Sequence, residues 1–72
     1  MIINWPALVA EAIRRRKAEG LSQRDLAALA GVSLPTVVKF EKASGEIIVA
    51  KALAILAVLG LNSAASEPPP QT

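Results

Sequence analysis

Apolar residues return at intervals of three and four along most of this chain, and glycines with small polar residues interrupt them at a few places. In the first segment Trp5, Leu8, Val9, Ala12 and Ile13, with Arg16 after them, share one helical face down to about Glu19. Asn4 is placed to cap that helix, Pro6 is tolerated in its opening turn, and Gly20 ends it. A second helix runs from a Ser22 cap to Ala30, with Leu26, Leu29 and Ala30 on a face expected to point inward. Gly31 closes it in the left-handed conformation that a residue with a Cβ avoids. Ser33 caps a third helix, Pro35 falls in its first turn, and Val37 and Phe40 face the core. Residues 41–46 read as a loop, and a strongly apolar helix follows over 49–59, stopped by Gly60 with Leu61 packing back on it. From Asn62 the chain turns to Ser, Ala, Glu and the run Pro68-Pro69-Pro70, a composition that builds no core and predicts disorder. The expectation is an all-α fold, a compact four- to five-helix bundle over residues 1–61 with a disordered Pro-rich tail over 62–72.

The middle of the chain is the most specific part. In residues 23–42, QRDLAALAGVSLPTVVKFEK, Ala27 sits where the third helix would cross closest, Gly31 makes the sharp turn and Val32 plugs the corner. Two helices joined in this way form a helix-turn-helix, a device that reads DNA. Leu34, Pro35, Thr36, Val38 and Lys39 are left outward on the second of them, a face that suits a major groove. Any one of these features recurs in αα-corners that bind no nucleic acid, so the weight lies in Ala27, Gly31, Val32, Ser33, Val37 and Phe40 falling together.

Composition narrows the reading. At 72 residues there is room for one domain and none for a separate sensor or a large catalytic cleft. Hydrophobic residues make up 53% but aromatics only 3%, so the core must be built from Leu, Ile, Val and Ala. With neither cysteine nor histidine, disulfides, thiolate chemistry, imidazole catalysis and the usual zinc sites are excluded, and no metal or cofactor is expected. Asp25, Glu41 and Glu46 are the acids near the motif and belong to no nucleophile or metal constellation, which argues against an enzyme. The net charge of +2 is modest, but Arg14, Arg15, Arg16 and Lys17 are consecutive, and Arg24, Lys39 and Lys42 are spread across the motif. For Arg14 and Arg15 the run reads equally well as a solvated helix face. No leader pattern opens the chain and the apolar stretch over 52–61 is too short for a bilayer, so a soluble cytoplasmic protein without membrane or small-molecule partner is expected.

The last helix is more apolar than one small core needs. Ile47, Ile48, Val49, Leu53, Ile55, Leu56, Val58 and Leu59 wrap most of its circumference, where one-sided burial takes a stripe about 100° wide. The surplus implies a partner, simplest as an identical subunit contacting Ile47, Ile48, Val49, Leu56 and Leu59. The alternative is that the preceding helices and a folded-back arm over residues 1–5 cover it.

These residues resemble the lambda-repressor-like family of small helix-turn-helix proteins, also called the Cro/C1 or XRE family. The likeness spans about Ile13 to Leu61 and is strongest over 20–33, GLSQRDLAALAGVS, followed by PTVVKFEK and a helix ending in LGL. It implies a five-helix DNA-binding domain acting as a homodimer on a palindromic operator, often in phages, mobile elements or toxin-antitoxin loci. Under that resemblance Leu34, Pro35, Thr36 and Lys39 reach base edges, while Gln23, Lys42 and Ser44 contact phosphates, and Arg24 and Ser33 are assigned with them. The family also pairs an arginine of the first helix with a glutamate ending the third, here Arg16 and Glu41, which gives that pair a structural role. Two positions depart from the pattern: Ala43 stands where glycine is common, and Ile47 where proline is.

The leading expectation is therefore a sequence-specific regulator of double-stranded DNA, a small homodimeric repressor acting through a recognition helix at 33–40. The competing expectations are a protein-interaction module or anti-activator using the apolar last helix, and the antitoxin of a toxin-antitoxin pair.

Overall fold

The computed structural model describes residues 4–43 and 47–61. The apolar arm at 1–3, the loop residues Ser44, Gly45 and Glu46, and the tail over 62–72 lie outside them. Four helices stand in the described residues: α1 (Trp5–Ala18), α2 (Gln23–Ala30), α3 (Leu34–Glu41) and α4 (Val49–Val58). Three of them begin on a polar cap. Asn4 Oδ1 accepts from the Ala7 amide, Ser22 Oγ from the Asp25 amide, and Ser33 Oγ from the Thr36 amide. At Ser22 the cap is reciprocal, because the Asp25 carboxylate accepts from the Ser22 amide at 2.9 Å. Helix α4 starts from Ile48 with no side-chain cap.

Helices α1, α2 and α4 end by one device. At the end of α2 the Gly31 amide donates to Ala28 O and the Val32 amide to Ala27 O, with Gly31 at φ 72°. The same pair of bonds closes α1 ahead of Leu21 and α4 ahead of Leu61, so an apolar side chain follows each glycine into or beside the core. Helix α3 has Ala43 at the equivalent position, at φ 54°, with its amide donating to Phe40 O. A left-handed alanine is strained, and this is the position where the resemblance leads one to expect glycine.

Helix α2 packs against both α3 and α4, and α1 packs against α3. The core is filled by Val9 and Ala12 from α1, Leu26 and Ala27 from α2, Val37 and Phe40 from α3, and Ala52, Ile55, Leu56, Leu59 and Leu61 from the last segment. Trp5 meets Phe40 edge to face with ring centroids 5.8 Å apart. Ala27 is buried in the core, as the small residue expected where α2 and α3 cross.

Two expectations are corrected. Leu29 does not face inward; it is 61% exposed. At about 100° per residue the buried face of α2 centres between Leu26 and Ala27, which leaves Leu29 roughly 110° away from it. Leu56 and Leu59 are not free to form a dimer interface, because at 0% and 2% exposure they are spent in the core of the single protomer. Side chains already removed from water have nothing further to gain from a second subunit. The surplus apolar surface is instead concentrated at the start of α4, on Ile48 and Val49, at 63% and 69% exposure, with Ile47 half-buried beside them. No helix among the described residues is long and apolar enough to cross a membrane.

Candidate nucleic-acid interface

The arrangement is anchored by Glu41 at the end of α3. Its carboxylate accepts from Arg16 Nε at 2.6 Å and Arg16 Nη2 at 3.2 Å, and from Gln23 Nε2 at 2.9 Å. Arg16 Nη1 donates to Leu21 O at 2.8 Å. One charge pair thus joins α1, the first residue of α2 and the last turn of α3, with side chains only 11% and 7% exposed. A two-pronged guanidinium-carboxylate contact also sets direction, since the planar fork accepts a carboxylate in one orientation. The helix-turn-helix is therefore braced from behind.

Gln23 occupies the start of α2, half-buried. A carboxylate only accepts, so the bond to Glu41 turns the Gln23 amide nitrogen toward it and leaves the second N–H of that nitrogen available. Arg24 is exposed on the same turn. Asp25 holds its carboxyl below the usual range, first through the Ser22 backbone amide and then through the Ser22 hydroxyl.

On α3, Ser33 and Thr36 are linked hydroxyl to hydroxyl at 2.8 Å, while Ser33 Oγ also accepts the Thr36 amide. Whichever hydroxyl donates within the pair, one O–H remains for an outside acceptor. Pro35 and Lys39 are exposed, while Leu34, Thr36 and Val38, also expected outward, are half-buried. Lys42 is exposed at the cap of α3. Ser44 lies outside the described residues.

The structure brings Pro35, Thr36 and Lys39 together along one wall of a groove of about 210 Å³ whose other wall is Ile47, Ile48 and Lys51. Leu34 is not part of its lining. Lys51 was missed by sequence reasoning. The signal available was that Lys51 is the single charged residue between Ile47 and Leu61. The lining combines the apolar Pro35, Ile47 and Ile48 with Thr36 and two lysines, and among the described residues neither Lys39 nor Lys51 is in an ion pair. Such a surface is suited to a partner with both an apolar face and negative charge.

The consecutive cations of α1 divide by role. Arg14 is exposed and paired with Glu11, whose carboxyl it holds below the usual range through their hydrogen bond. Arg15 donates to Glu11 at 3.4 Å and to Leu59 O at 3.3 Å, placing a cation on a terminal carbonyl of α4. Arg16 is in the buried pair, and Lys17 is exposed.

A family model described as helix-turn-helix matches residues 13–64 of the chain. Neither the curated proteins nor the solved structures contain a match to it.

Proposed function

This chain belongs to the lambda-repressor-like helix-turn-helix family of DNA-binding regulators, and on that premise we propose that it is a homodimeric repressor that recognises a (pseudo)palindromic operator through α3. The observation that carries the reading is the open face of α3, where Pro35, Thr36 and Lys39 line one groove wall and no described acidic group neutralises Lys39. Lys39 donates to guanine O6 or N7, Leu34 and Pro35 touch thymine methyls, and the free hydroxyl of the Ser33–Thr36 pair donates to a base or phosphate. The second N–H of Gln23, together with Arg24, Lys42 and Ser44, takes the flanking phosphates. Hydrogen-bond readout by so few groups is sparse, so DNA shape supplies part of the specificity.

The exposed Ile48 and Val49 support the dimer. Ile48 lines the groove and Val49 follows it in the chain, and a two-fold contact there would set two α3 helices on one face of the duplex, about 34 to 36 Å apart. The reading of a protein-interaction module through α4 loses ground, because Ala52, Ile55 and Leu56 of that helix are spent in the core.

Selection of bound duplexes from a random-sequence library at physiological salt, with Lys39→Ala in parallel, tests the proposal. Enrichment of an inverted repeat that Lys39→Ala relaxes at one position supports it. Absence of any enriched duplex overturns it and points to a protein partner.

A further inference from the structure

We draw no further inference here: the strongest candidate, the apolar surface patch on the solvent face of α2 where Leu29 stands 61% exposed, carries nothing, since nothing in the structure shows what covers it.

Discussion

Replacing Glu41 by alanine is expected to destabilise the protein more than any surface change. The carboxylate is the common acceptor of three donors, Arg16 Nε and Nη2 and Gln23 Nε2, in a pair with side-chain exposures of 11% and 7%. Its removal strands a guanidinium in a site with little water, where the remaining partner is Leu21 O. Breaking such a pair from one side costs about 3 to 5 kcal/mol, against a total stability of order 5 to 15 kcal/mol for a domain. Because both side chains keep some contact with solvent, the lower end applies. At roughly 4 to 8 °C per kcal/mol in a domain this small, about 3 kcal/mol lowers Tm by roughly 12 to 24 °C. Circular dichroism melts and urea titrations of wild type, Glu41→Ala, Glu41→Gln and the double variant Arg16→Met/Glu41→Leu measure it. Glu41→Gln keeps an acceptor and should fall between the two. The double variant removes both charges, so it should recover much of the loss. The reasoning is refuted if Glu41→Ala melts with wild type, or if the double variant is as unstable as Glu41→Ala, since then the cost is packing and not a stranded charge.

Ala43→Gly should raise Tm by a few degrees in the same melts. Relief of a left-handed Cβ contributes about 1 to 2 kcal/mol, and the greater freedom of glycine in the unfolded chain returns roughly half of it. Asp25 is held below its ordinary range by the Ser22 amide, so its folded value lies below its unfolded one; the stability it adds is present above the unfolded value and is lost as pH falls through the folded value. Asp25→Asn should therefore flatten the acid side of the stability-pH profile measured by urea titration. Leu56→Ala should cost about 2 to 5 kcal/mol in urea unfolding and weaken the fold itself, whereas Val49→Asp should leave the melt of dilute protein unchanged and shift sedimentation toward the monomer.

Local rules made the helices legible. Ser22, Ser33 and Asn4 are caps whose chemistry acts within three residues, and Gly31 and Gly60 mark turns that only a left-handed residue closes well. Burial was less legible wherever it depends on two neighbours at once. Leu29 shares a side of α2 with Leu26, but the centre of the buried stripe is set by where α3 and α4 both touch α2, and spacing along one helix does not contain that. In α4 nearly every side chain is apolar, so periodicity carries no information there. Only packing separates Leu56 and Leu59 inside from Ile48 and Val49 outside. The pairing of Arg16 with Glu41, 25 positions apart, came from the resemblance to a known family, because residues alone do not say which of eight cations meets which acid. Lys51 belongs to no local motif; its place opposite Lys39 is created by the path of the chain between α3 and α4.

The division between bracing and reading has a consequence for how substitutions act. Glu41 orients Gln23, so the contacts that hold α1, α2 and α3 together also aim an amide at the start of α2. A change there loses stability and the geometry of the α2 terminus at once, and its effect on any ligand is inseparable from folding. Lys39 and Lys51 are exposed and make no ion pair among the described residues, so their removal leaves the core and the Glu41 contacts intact. Under the proposed function, a substitution of Lys39 therefore reports on recognition without disturbing the fold. Surface substitutions away from buried partners stay within about 0.5 kcal/mol of wild type, so a Lys39 variant with lost affinity and an intact melt has lost a contact and not a fold.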